Sequence, residues 1–166
     1  RHVVGLVPPG RVVDLYAGVG LFGLSMAAAG AEHVTLIEGD PVSGADLERN
    51  AAAVARVRVK RRSVESYLGA VPSSRGRTTF IIDPPRTGLS KDALAGIVRL
   101  QPATIVYVSC DVATLARDTR VLIDAGYSLG PLAAFDLFPN TPHVETVVRF
   151  DVQGAEAMSA IAATRA

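Results

Sequence analysis

The stretch RVVDLYAGVGLFGLSMAAAG, residues 11–30, decides the fold. It opens as an apolar, β-branched run from Arg11 to Tyr16. It then crosses the glycine-rich turn Ala17-Gly18-Val19-Gly20 and enters a segment that reads as a helix. A strand, a glycine turn and a helix make up the unit of a doubly wound α/β sheet, in which glycine lets a ligand approach the backbone. Outward from it the alternation repeats. HVTLIE (33–38), VRVKR (57–61), TTFIID (78–83) and TIVYVS (104–109) read as strands. DPVSGADLERNAAAVA, SVESYLGAV, SKDALAGIVRL and DVATLARDTRVLIDAG, lying between or after them, read as helices. Near-continuous Val/Ile runs separated by helices predict parallel strands covered on both faces. YSLGPLAAFDLF (127–138) and HVETVVRFDV (143–152), joined by Pro139-Asn140-Thr141-Pro142, predict a closing hairpin with an antiparallel strand at the end of the sheet. The expected fold is therefore a Rossmann-like, doubly wound α/β sheet of about seven strands over residues 1–152, followed by an Ala-rich tail, 153–166.

Composition narrows the function. A chain of 166 residues, 49% hydrophobic, suits one domain with a full core. No apolar run reaches the roughly 18 residues of a membrane span, and no apolar signal region opens the chain. The single cysteine excludes an intrachain disulfide and fits a reducing cytoplasm, and no zinc-type cluster is present, so no metal is expected. The net charge of +1 is small for a nucleic-acid binder, so a local patch or a further domain is expected to carry phosphate affinity. The run Arg56, Arg58, Lys60, Arg61, Arg62 reads as protection of an edge strand. RHVVGLVPPGR reads as the end of a helix whose beginning is absent, so the chain reads as a fragment, with a monomer favoured.

Five places carry candidate chemistry. Read as far as Gly20, the first turn is D-x-x-x-G-x-G from Asp14, which sets it apart from a dinucleotide fingerprint. Glu38 ends the second strand, where an acid can accept hydrogen bonds from both hydroxyls of a ribose, and Asp14 can hold an ammonium. A sulfonium with an amino-acid tail fits this acid-lined turn better than a pyrophosphate does. Ser63 to Glu65 either borders a nucleobase or forms a helix N-cap. The fourth strand ends in Asp83-Pro84-Pro85-Arg86. The prolines stiffen the backbone and hold Asp83 at the carboxyl rim of the sheet, where its carboxylate can accept the N3–H of a uracil and Arg86 can meet a phosphate or a carboxylate. Cys110 stands at a strand-to-helix junction, where the amino end of a helix favours negative charge. Glu145 enters the last apolar run and can serve as a base. His143 reads as a structural hydrogen-bonding residue on the same face.

With DLYAGVG, IEGDPVSGADLERNA, DPPRTGL, YVSCDVATLARD and DLFPNTPHVETV in that order, the chain resembles the catalytic domain of the RNA uracil-5-methyltransferase family from about residue 10 to 150. SCDVATLARD with FPNTPHVET is the specific part. The resemblance implies a class I fold dependent on S-adenosylmethionine, acting on tRNA or rRNA. It implies Cys110 as nucleophile, Glu145 as base, and Asp83 at the uracil edge. Its cofactor set is Asp14, Tyr16, Gly18, Gly20, Glu38 and Asp83. Family members usually carry an RNA-binding β-barrel and a Phe-x-Gln-x-Asn segment upstream, and both are missing here.

These residues suit one reaction. Addition of a thiolate to carbon 6 makes carbon 5 of uracil nucleophilic, and a base then removes the carbon-5 proton. The rivals are methylation of an exocyclic nitrogen, which needs no thiol, and a nucleoside- or RNA-binding module, which would tolerate Cys110→Ala. A dinucleotide oxidoreductase is disfavoured by the turn.

Overall fold

The structure, a computed structural model, describes residues 1–72, 77–137, 139–141 and 144–153. The elements in chain order are α1 (His2–Leu6), β1 (Arg11–Leu15), α2 (Leu21–Ala28), β2 (His33–Glu38), α3 (Pro41–Ala51), β3 (Val57–Arg61), α4 (Val64–Ala70), β4 (Thr78–Ile82), α5 (Lys91–Leu100), β5 (Thr104–Ser109), α6 (Val112–Asp124), β6 (Tyr127–Phe135) and β7 (Glu145–Val152). From residue 154 on, the expected tail lies outside the described residues, as does His143.

The seven strands form one sheet in the order β3-β2-β1-β4-β5-β7-β6. β1 to β5 run parallel to one another, and β7 runs antiparallel to both β5 and β6. The expected Rossmann-like α/β architecture is the one observed, with one change of position. The final strand does not sit at the edge but inserts between β5 and β6. The reason lies in side chains. β7 buries Val147, Val148 and Phe150, so it needs cover on both faces, whereas β6 leaves Leu129 and Leu132 exposed. β6 also contains Pro131, which donates no ladder hydrogen bond, and an irregularity between Leu129 and Leu132. Both features belong on an edge.

Side-chain alternation in β1 feeds two cores. Val13 and Leu15 join Val64, Leu68, Ile97 and Leu122 from α4, α5 and α6 on one face. Val12 joins Val3, Met26 and Leu47 from α1, α2 and α3 on the other. Helices therefore cover both faces, and the chain changes direction of travel across the sheet between β1 and β4. The crevice at the carboxyl ends of those two strands is where such sheets bind ligands. β3 is the opposite edge strand, with Arg58, Lys60 and Arg61 exposed along it.

Candidate active site

Three adjacent strands deliver acids to that crevice. β1 ends early because Tyr16 takes a left-handed backbone, φ 62°. The chain then turns through Gly18 (φ 54°) and Gly20 (φ 101°) into α2. Asp14 is fully buried beneath this turn, with Oδ2 accepting the Gly23 N–H at 2.7 Å and Oδ1 lacking any hydrogen-bond partner. A buried carboxylate oxygen without a donor calls for one. Glu38, half-buried at the end of β2, clamps two loops: its oxygens accept from the Gly18 N–H at 2.8 Å and the Asp40 N–H at 2.7 Å. A Cβ placed on Gly18 would meet nothing within 4 Å, so the turn leaves open space above its backbone.

Asp83 follows β4, its N–H still donating to the Leu15 carbonyl at 3.4 Å. Burial lifts its carboxyl to about 6, and the charge of Glu145 adds to the rise. Burial likewise lifts Asp14 to about 7 against the opposing Gly23 hydrogen bond, with Asp83 and Glu38 contributing repulsion. Asp14, Glu38, Asp83 and Glu145 therefore form a mutually repelling group at one rim, a field that favours a cationic ligand.

Cys110 and Glu145 arrive from neighbouring strands. Ser109 of β5 is paired with Thr146 of β7, so Cys110, one residue on, and Glu145, one residue back, meet at the same end of the ladder. Both are half-buried. Asp111 caps α6 by accepting from the Thr114 N–H at 2.8 Å, which places Cys110 immediately before the helix. Nearby Arg86 is one of the groups that lower the Asp111 carboxyl, after the Thr114 hydrogen bonds. A cavity of about 560 Å³ lies elsewhere, at the amino ends of the strands by Arg11, His33 and Phe80.

The chain matches the family described as tRNA (Uracil-5-)-methyltransferase over residues 8–152. It belongs to that family. Among relatives, a tRNA (uracil(54)-C(5))-methyltransferase of Pyrococcus abyssi is 36% identical over 153 residues, covering 90% of this chain and 35% of that protein. A 23S rRNA (uracil(1939)-C(5))-methyltransferase of Shewanella piezotolerans is 36% identical over 144 residues, covering 86% and 32%. The solved structure of the P. abyssi tRNA (uracil-54, C5)-methyltransferase, in complex with S-adenosyl-L-homocysteine, superposes with a TM-score of 0.78 at 34% identity, over 90% of this chain and 36% of that one. The chain spans about a third of the length of the curated relatives it matches.

Within this domain one reading of the glycine turn changes. Gly23 completes a G-x-G-x-x-G spacing with Gly18 and Gly20, so the glycines do not set this turn apart from a dinucleotide site. The rim of acids does. Gly23 is needed for packing, since a Cβ there would fall 2.0 Å from Leu36 and 2.9 Å from Asp14. Tyr16, half-buried after β1, packs against the core under α4, α5 and α6. Burial and the charges of Glu65 and Asp118 raise its hydroxyl pKa. Ser63 is an N-cap, accepting from the Ser66 N–H, and Glu65 accepts from the Ser90 hydroxyl at 2.7 Å. Asn50 was missed: from α3 it donates to the Val19 carbonyl at 2.9 Å and steadies the glycine turn. Asp118 and Tyr107 were missed as well. Nothing in local sequence marks them, because their partners lie on other elements.

Proposed function

We propose that this domain carries the catalytic centre of an enzyme that methylates carbon 5 of a uridine in tRNA or rRNA, using S-adenosylmethionine and a covalent Cys110 adduct. The observation that carries the reading is the meeting of Cys110 and Glu145 at one end of the β5–β7 ladder, within the electrostatic reach of Asp83. The cofactor fits the residues present. Gly18 leaves open space above the turn, Asp14 has a buried oxygen without a donor, and Glu38 stands at the end of β2. Asp14, Gly18, Gly20 and Glu38 would hold it, with Asp83 at its border. S-adenosylmethionine, when bound, supplies the methyl group that carbon 5 takes up.

The chain's own residues do the rest. Asp83, ionised, accepts the uracil N3–H and fixes the ring. The Cys110 thiolate adds to carbon 6, which places electron density on carbon 5. After methylation Glu145 removes the carbon-5 proton, and the electrons of that bond expel the Cys110 thiolate. The uridine must be unpaired or flipped out for its face to be reached. A reducing cytoplasm suits the single free thiol.

The test is incubation of the full-length protein with unmodified tRNA and rRNA fragments and S-adenosylmethionine, followed by mass-spectrometric mapping of the modified nucleoside. 5-Methyluridine made by the wild type and lost in Cys110→Ala supports the reading. A base methylated on an exocyclic nitrogen, or product made by Cys110→Ala, refutes it.

A further inference from the structure

We infer that Asp118 and Arg117 are positioning residues that lock the Asp83–Leu89 turn onto the helix beginning beside Cys110, so that the uracil-orienting carboxylate and the nucleophile keep a fixed separation. This inference rests on the proposed uridine chemistry for its purpose, though not for its geometry.

The turn cannot hold itself. Pro84 and Pro85 have no N–H, and within 83–89 the backbone closes one contact, from the Gly88 N–H to the Pro85 carbonyl at 2.8 Å. The other groups look to α6. The Asp118 side chain is 0% exposed. Its Oδ2 accepts the Leu89 N–H at 2.9 Å and the Tyr107 hydroxyl at 2.8 Å, and its Oδ1 accepts Arg117 Nε at 2.9 Å. Arg117 Nη2 donates to the Thr87 carbonyl at 3.2 Å and the Leu89 carbonyl at 3.0 Å. The Thr114 hydroxyl donates to the Arg86 carbonyl at 3.3 Å. Gly88 is left-handed, φ 71°, and a Cβ on it would lie 2.7 to 2.9 Å from Arg117, Asp118 and Thr114. The turn is thus pressed against one helical face from Arg86 to Leu89.

That helix begins two residues after Cys110, and Tyr107 stands three residues before Cys110 on β5. Tyr107 is fully buried, and burial with the Asp118 hydrogen bond keeps its hydroxyl protonated as a donor. One buried carboxylate therefore ties together the strand that delivers the thiol, the helix behind it and the turn that presents Asp83. Apolar packing alone would hold the helix against the turn yet let it slide. Directional bonds to a desolvated carboxylate do not. None of these groups needs to touch the uridine.

The experiment uses the full-length protein with Asp118→Asn, Arg117→Met and Arg117→Lys. Arg117 is half-exposed, so its variants keep the test valid if Asp118→Asn folds poorly. The expected result is a kcat lowered by on the order of a hundredfold in Asp118→Asn and Arg117→Met, with KM for RNA and cofactor affinity within about twofold, as for a small displacement of reacting groups. Arg117→Lys, which restores one donor, should recover part of the rate. Independently of catalysis, hydrogen exchange of the 86–89 amides should speed up in Arg117→Met while the sheet stays protected. Wild-type kcat per folded molecule in both variants, or unchanged exchange in the turn, overturns the inference. Absence of 5-methyluridine from the wild type would refute the proposed function alone, and the exchange measurement would still decide the lock.

Discussion

Cys110 and Glu145 occupy the rung just beyond the last pair of the β5–β7 ladder, Ser109 opposite Thr146. Paired residues in an antiparallel ladder lie roughly 4.5–5.5 Å apart at Cα, so the next rung keeps the two side chains within reach of one small ring. Insertion of β7 between β5 and β6 creates this neighbourhood. Had β7 been the edge strand, Glu145 would stand one strand further away from Cys110.

The pair predicts opposite phenotypes for two dead enzymes. In the full-length protein Glu145→Gln should accumulate a methylated RNA–protein crosslink with ordinary RNA, because carbon 5 keeps its proton and Cys110 cannot leave. Cys110→Ala should form none, and 5-fluorouridine RNA should trap only proteins that retain the thiol. Denaturing gels and mass spectrometry distinguish them. Near wild-type turnover by Glu145→Gln, or inactivity without trapping, would remove Glu145 from the role of base.

Asp83 gives the reaction a pH limb. In the proposed mechanism it must be ionised to accept the uracil N3–H, and burial with the Glu145 charge lifts it to about 6. The rate of adduct formation with 5-fluorouridine RNA should therefore rise from pH 5 to 7 with a midpoint near 6. Burial is the larger cause and survives in Glu145→Gln, but the repulsion does not. The midpoint in that variant should move down, toward the ordinary 3.8 without reaching it. A midpoint that moves up, or a flat profile, would sink the assignment.

Much of this was legible in the chain. Val/Ile runs and glycine turns fix element type because burial on both faces leaves no other pattern, and strands 33–38, 57–61 and 104–109 agree with the sequence reading to the residue. Cys110, Asp83 and Glu38 are legible because strand ends point at the crevice. The order of β6 and β7 was harder to read, since it depends on comparing two similar apolar runs, and Pro131 was the available clue. Asp118 was hidden by its helix. An acid at that position reads as solvated until the Leu89 N–H and Tyr107 hydroxyl are seen to converge on it.

The glycines of the first turn should separate by assay. Gly18→Ala meets no atom within 4 Å but must keep φ 54°, so it should lower stability by about 1 kcal/mol and weaken S-adenosylhomocysteine binding through the lost approach space. Gly23→Ala drives a Cβ into Leu36 and should cost more, about 3 kcal/mol in denaturant unfolding. Calorimetric binding and urea midpoints on both variants test this. Equal losses of stability, or undiminished binding by Gly18→Ala, would contradict it.

Asp14 should make the protein less stable as pH rises. Its carboxyl is lifted from an ordinary 3.8 to about 7, chiefly by burial, so between those values the folded state holds a proton that the unfolded state has released. Stability falls wherever the folded state binds more protons, so the Asp14 contribution declines from about pH 4 and levels off above about pH 7, by then on the order of 4 kcal/mol. Asp14→Asn keeps an acceptor for the Gly23 N–H and removes the charge. It should raise the urea midpoint at pH 8 and bring little gain at pH 4. The same substitution should weaken S-adenosylhomocysteine binding at pH 8, because an ammonium donating to the unpaired Oδ1 would compensate the buried charge that the amide lacks. A stabilised protein with poorer cofactor affinity is thus the signature of a carboxylate kept for its ligand. If Asp14→Asn is stabilised equally at both pH values, burial of the charge is not the cause. If it binds the cofactor as tightly as the wild type, Asp14 serves only to hold the turn.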